Sequence, residues 1–93
     1  MDVTGVKGPY TPSDLAAWAR AQLEIARSIV DNPGGGLLFA TQAIGQVKAA
    51  LQEHGEETYA EVVETLDRAE DSAIKREFAA ARKLIGEAIS GLS

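Results

Sequence analysis

The chain has 93 residues, of which 45% are hydrophobic and 25% charged, and its net charge is −5. This length predicts one domain with a modest core, and the negative charge argues against non-specific binding of nucleic acid. The absence of cysteine excludes disulfides, thiolate zinc sites and a cysteine nucleophile. No apolar run reaches the roughly 18 residues that span a bilayer, so we expect a soluble, cytoplasmic protein that does not contact membranes.

The first ten residues differ in composition from the rest of the chain. They include Gly5, Gly8 and Pro9 and show no helical period, so we expect residues 1–10 to form a flexible N-terminal arm. They have neither the apolar segment of a signal peptide nor the Arg-rich pattern of a transit peptide. Residues 11–93 are expected to form a single helical-bundle domain.

A first helix is predicted over residues 12–31. Thr11 can serve as its N-cap, Pro12 suits the first helical position, and Asp14 complements the positive end of the helix dipole. The opposite face carries charges of alternating sign at spacings of three and four, which is typical of a solvated face. These charges are Arg20, Glu24, Arg27 and Asp31. The apolar stripe expected to face inward consists of Leu15, Trp18, Ala19, Ile25, Ala26 and Ile29, and it is flanked by Leu23 and Val30.

The segment from Asn32 to Gly36 predicts a reversal between two helices. Asn tolerates a left-handed conformation, Pro33 cannot continue the helix, and three glycines permit a tight turn. A helix N-terminus that follows such a loop is a generic anion site. This loop lacks both the Lys and the preceding strand of a phosphate-binding loop, so we interpret it as a connection.

The second helix, predicted over residues 37–54, is expected to be the central one because Lys48 is its only charge before Glu53. One face is predicted to meet the core through Leu37, Ala40, Ala43, Ile44, Val47, Ala50, Leu51 and His54. The other face is the candidate interaction site, made of Leu38, Thr41, Gln42, Gly45 and Ala49. A small residue at position 45 would permit close approach of another helix, from this chain or from a second subunit.

Two further helices are predicted over residues 57–70 and 73–91, with a break at Asp71–Ser72 where the apolar stripe changes phase. A kinked continuous helix is the alternative, since neither Gly nor Pro enforces the break. Inward positions are Tyr59, Val62, Leu66 and Ala69, then Ile74, Phe78, Ala81, Ile85, Ala88 and Leu92. Four helices joined by short loops predict an all-α, antiparallel four-helix bundle.

Charges segregate between these two helices. Between Glu53 and Asp71 there are eight acidic residues and a single base. Such a run is typical of a solvated face, but it can also bind a basic partner. The outer face of the fourth helix is basic, and its four basic residues could pair with this run: Lys75, Arg76, Arg82 and Lys83.

Candidate chemistry is sparse. The single histidine, His54, suits the negative end of its helix, and the Glu-x-x-His pattern of bundle di-metal sites is absent because position 51 is Leu. Trp18 with Tyr59 or Phe78 could line a small pocket or simply pack in the core. No serine lies in a nucleophile motif. We therefore expect no enzymatic activity, no cofactor and no metal.

Part of the chain resembles a known family. The segments Asp14–Leu23, Phe39–Ala43 and Lys48–Leu51, within residues 14–55, resemble the first two helices of HEPN domains. The resemblance implies a helical bundle that is often dimeric. Ribonuclease members of that family carry an Arg followed four to six residues later by His, and this chain has no such pair near His54. The resemblance therefore implies a non-catalytic relative.

Three functions remain open from the sequence. The first is a protein-interaction or regulatory module that self-associates, most simply as a homodimer. The second is a HEPN-like domain that binds a nucleotide or another ligand. The third is a partner-binding protein of the immunity or antitoxin kind, acting through the acidic third helix.

Overall fold

A computed structural model describes residues 12–32, 34, 36–55 and 57–92. It contains four helices: α1 (Pro12–Asp31), α2 (Leu37–Gly55), α3 (Ala60–Ile74) and α4 (Phe78–Gly91). The part of the chain that is described contains no strand, and the predicted all-α bundle is confirmed. The predicted arm at residues 1–10 and the predicted N-cap Thr11 lie outside the described residues.

The four helices form a ring in chain order. Each packs on the next, and α1 also packs on α4. Arg82 at the start of α4 pairs with Asp31 at the end of α1, with Nη1 3.0 Å from Oδ1. Arg20, in the first half of α1, donates a hydrogen bond of 2.9 Å to the carbonyl of Leu92, just beyond α4. The contacts are those of an antiparallel, up-down-up-down bundle, in which the α1–α2 and α3–α4 connections lie at the same end.

The core is built largely from small aliphatic residues. Nine of its twenty buried hydrophobic residues are alanines, which lets the helices approach closely. Trp18, Tyr59 and Phe78 are only partly buried and pack against the edge of this core, as the packing alternative for these three residues predicts. The largest fully buried side chains are Leu15, Leu23, Val30, Ile44, Val47, Leu51, Leu66 and Ile85.

The inward face of α1 differs from the predicted one at Ile25, which is 53% exposed. Ala16, which was not expected to face inward, is buried, at 6% exposure. The buried line follows Leu15, Ala19, Leu23, Ala26 and Val30, and position 25 lies about 100° from position 26 around the helix. The prediction was wrong because hydrophobicity alone widened the stripe to include Ile25.

The charged side of α1 is also less solvated than predicted. Arg27 pairs with Glu24 within the helix, as the alternating charges suggested. Arg20 and Asp31, however, contact the end and the start of α4. This side of α1 is therefore its boundary with α4.

The boundary between α3 and α4 is displaced from the predicted position. A turn occupies residues 57–59, and α3 then runs past the predicted break to Ile74. The N-cap of α4 is Glu77, whose side chain makes no capping hydrogen bond. The predicted break at Asp71–Ser72 is therefore wrong in position, whereas the prediction of two separate helices is confirmed.

The break is made by backbone geometry at Arg76. This residue has a φ of 63°, the left-handed conformation that helix ends usually give to glycine. Its amide donates a 3.0 Å hydrogen bond to the Ala73 carbonyl, and the Glu77 amide donates one of 2.8 Å to the Ser72 carbonyl. These two bonds form a Schellman motif. As a consequence, Ile74 ends α3 and is 64% exposed, instead of facing inward at the start of a fourth helix.

Candidate interaction surface

The five residues predicted to form an interaction site lie on the outward face of α2. Leu38 is 64% exposed, and Gln42 and Ala49 are exposed as well. Thr41 and Gly45 are partly buried. The Thr41 hydroxyl donates a 2.9 Å hydrogen bond to the carbonyl of Leu38 in its own helix. We call this the α2 face.

The glycine at the middle of the α2 face has room around it. A Cβ atom added at Gly45 would have a Glu70 carboxylate oxygen at 3.8 Å as its nearest neighbour, an ordinary contact with the far end of a flexible side chain. No backbone of another described helix presses on this position. Packing within the chain therefore does not explain why a residue with a helix penalty of about 1 kcal/mol stands here.

Lys48, the only charge of α2 before Glu53, lies at the border of the α2 face and reaches toward α3. Its Nζ lies 2.6 Å from Asp67 Oδ1 and 2.7 Å from Glu70 Oε1, and its side chain is 20% exposed. The hydrogen bonds that it donates to Asp67 and Glu70 raise the pKa of its ammonium group. The five side chains of the α2 face are themselves uncharged, and the Glu70 carboxylate that lies beside Gly45 is paired with Lys48.

Four large hydrophobic side chains are exposed in the half of the bundle that holds the α1–α2 and α3–α4 connections. We call them the hairpin-end patch: Ile25, Leu38, Phe39 and Ile74, between 53% and 65% exposed. Leu38 and Phe39 open α2, Ile25 lies in the second half of α1, and Ile74 ends α3. Ile74 lies four residues after Glu70, so it shares the side of α3 on which Glu70 meets Lys48 of α2. The patch therefore adjoins one end of the α2 face.

Sequence reasoning identified only Leu38 of this patch. Ile25 and Ile74 were predicted to face inward, and Phe39 was assigned to neither face of α2. The exposure of Phe39 could have been predicted from the sequence. Its position lies about 100° from Leu38 around the helix and at the edge of the predicted core stripe. The exposure of Ile74 could not be read in the same way because it depends on where α3 ends.

The acidic run is partly neutralised. Lys48 bridges Asp67 and Glu70, and Lys75 lies 3.0 Å from Asp71 within the end of α3. Arg82 pairs with Asp31 of α1, so the prediction that it pairs with the third helix is wrong. The remaining acidic residues in the described part of α3 and the turn before it are exposed: Glu57, Glu61 and Glu64.

An open groove lies between the start of α3 and the end of α4. Its volume is about 460 Å³, and Glu57, Glu61 and Glu87 contribute to its walls. The three glutamates are exposed to solvent. Within the described ranges, no cluster of three or more His, Cys, Asp or Glu side chains is arranged to hold a metal.

His54 lies in the last turn of α2, where its Nε2 is 3.5 Å from a carboxylate oxygen of the adjacent Glu53. This position suits a favourable interaction with the negative end of the helix dipole. None of the described helices is long and apolar enough to cross a membrane.

Comparison with known proteins adds no relative. No family model, no curated protein and no solved structure matches this chain. The resemblance to HEPN domains stays a prediction.

Proposed function

We propose that the protein is a helical interaction module that self-associates through the α2 face. The observation that carries this proposal is an outward helix face without charge, in a chain where one residue in four is charged. An exposed helix of a bundle normally presents charged residues to water. Here the outward side presents Leu38, Gln42, Gly45 and Ala49, and the one nearby ammonium group is held against α3.

The composition of the α2 face suits association. Burying a glutamine that finds a hydrogen-bond partner costs far less than burying a charge. Small residues at positions 45 and 49 allow a partner backbone to approach closely, and Leu38 supplies apolar area. We place the protein in the cytoplasm as a homodimer that acts without catalysis, cofactor or metal. A HEPN-like ancestry agrees with this proposal, because that resemblance implies a non-catalytic bundle that is often dimeric.

A second candidate function uses the acidic surface. Glu57 in the turn before α3 and Glu61 and Glu64 of α3 are exposed, which supports binding of a basic partner by an immunity-like or antitoxin-like protein. Capture of a basic protein that is lost when these three glutamates become glutamines, while the oligomeric state is unchanged, would favour this function over self-association alone.

The test of self-association is a single charge on the α2 face. Ala49→Glu places a carboxylate where the partner would dock, so we expect the mass in sedimentation equilibrium to fall from dimer to monomer. Ala17→Glu is the matched control, because Ala17 is also an exposed helical alanine but lies on α1. We expect Ala17→Glu to keep the wild-type mass. If both variants sediment as the wild type does, the α2 face is not the interface.

A further inference from the structure

The exposed apolar area is large enough to matter for association. The four side chains of the hairpin-end patch together expose on the order of 400 Å², the size of the largest patch on a typical monomer and a frequent mark of an interaction site. Exposed, uncharged side chains of α2 extend this surface along the helix through Gln42, Ala49 and Gln52.

The side chains on the outward side of α2 become smaller from the start of the helix toward its end. Its first turn carries the bulky Leu38 and Phe39, both more than 60% exposed. Its middle and second half carry Gly45 and Ala49, which leave the backbone accessible. Two such faces fit each other best when the bulky end of one meets the small end of the other, because close packing leaves few voids.

Charge is distributed in the same asymmetric way. The hairpin half of the bundle (residues 22–45 and 68–84) has six basic and five acidic residues. The other half (residues 12–21, 46–67 and 85–92) has two basic and seven acidic residues among those described. One half is therefore slightly positive and the other strongly negative. Two net-negative copies side by side repel least when opposite halves adjoin and most when the negative halves adjoin.

We infer that the partner is a second copy of this chain, with the two α2 helices packed antiparallel and the hairpin-end patch of each covering the second half of the other's α2. This arrangement rests on the proposed function, that is, on the α2 face being the interface. A two-fold axis crosses the contact near Gly45, midway between Leu38 and Gln52. Each copy then contributes the same surface twice, as closed dimers do.

The chain's own N-terminal segment is a poorer occupant. It joins the bundle at Pro12, at the end opposite the hairpins, and Ile25 is about 20 Å further along α1. At roughly 3.5 Å per residue, about half of residues 1–11 would be used in reaching the patch. Residues 1–11 alone would therefore not cover both the patch and the α2 face.

Cysteine cross-linking tests the orientation without interference, because the chain has no native cysteine. Leu38→Cys and Gln52→Cys are purified separately and oxidised alone and as an equimolar mixture. In the antiparallel dimer the two copies of either position lie about 20 Å apart along α2, beyond the roughly 7 Å between Cα atoms that a disulfide tolerates. We expect a cross-linked dimer only in the mixture. Ala17→Cys, on α1, is the control that measures cross-linking by random collision of molecules in solution.

The outcomes separate this inference from the proposed function. Cross-linking of each variant with itself would overturn the antiparallel orientation and leave the α2 interface intact. Failure of every sample to cross-link, with a dimeric mass in solution, would overturn the α2 interface as well. A monomeric mass for the wild type would overturn the proposed function itself. Salt is an independent readout, since added salt should strengthen a parallel dimer, whose negative halves adjoin, more than the antiparallel one.

Discussion

At the scale of single residues, Lys48 determines whether the outward side of α2 is charged. Its ammonium group is held between Asp67 and Glu70 at 2.6 and 2.7 Å. Those two carboxylates are three residues apart on one side of α3, where they would repel each other without a cation. One lysine therefore joins two helices and leaves the α2 face uncharged.

We predict that removing this lysine causes a measurable loss of stability. We expect Lys48→Met to lower the free energy of unfolding at pH 7 by about 1 kcal/mol, the upper end for partly exposed pairs. The raised pKa of Lys48 means that its contribution is fully present below its unfolded pKa of about 10.5 and is lost as pH rises through the folded value. The free energy of unfolding of Lys48→Met should therefore not show this loss at alkaline pH. Urea unfolding between pH 7 and 11 measures both effects.

The control is Lys75→Met, which removes an exposed pair with Asp71 inside one helix end. We expect a clearly smaller loss from this variant, because both partners are well exposed to solvent. Equal losses from the two substitutions would contradict the bridging role given to Lys48.

At the scale of elements, two glycines of α4 differ in what a methyl group would meet. A Cβ added at Gly86 would lie 3.6 Å from the guanidinium of Arg27, an ordinary contact. A Cβ added at Gly91 would lie 2.9 Å from a methyl group of Val62. α4 therefore has room in its interior and is tightly packed on α3 at its end.

These two positions predict opposite effects of the same substitution. Gly86→Ala should raise the free energy of unfolding by about 1 kcal/mol through helix propensity. Gly91→Ala should lower it by about 1 kcal/mol, because the added methyl forces Val62 to move. Thermal or urea unfolding of both variants decides the matter. Changes of the same sign and size would show that the close packing of α4 on α3 does not govern stability.

How much of each element could be predicted depends on local chemistry. The bounds of α1 and α2 follow from Pro12 and from the Asn32–Gly36 turn, and the prediction is confirmed there within one residue. The α3–α4 break could not be located from the sequence. Arg76 adopts the left-handed conformation there, whereas at helix ends this conformation is typical of glycine or asparagine. The displaced break also hid the exposure of Ile74.

At the scale of the whole molecule, the candidate surface arises from several elements at once. The periodicity of α2 predicted an outward face that includes Leu38 and Ala49. The rest of the hairpin-end patch could not be read from that period, because it combines Ile25 of α1 with Ile74 of α3. Charge is segregated on the same scale, since the strongly acidic half lies away from the patch. The antiparallel arrangement depends on this asymmetry.

Sedimentation equilibrium of the wild-type chain over a range of concentrations tests self-association most directly. We predict a mass that rises with concentration toward twice the 9.8 kDa of one chain. At concentrations that half-saturate the dimer, Ala49→Glu should remain at the single-chain mass. A wild-type mass that stays at 9.8 kDa up to hundreds of micromolar would contradict the account.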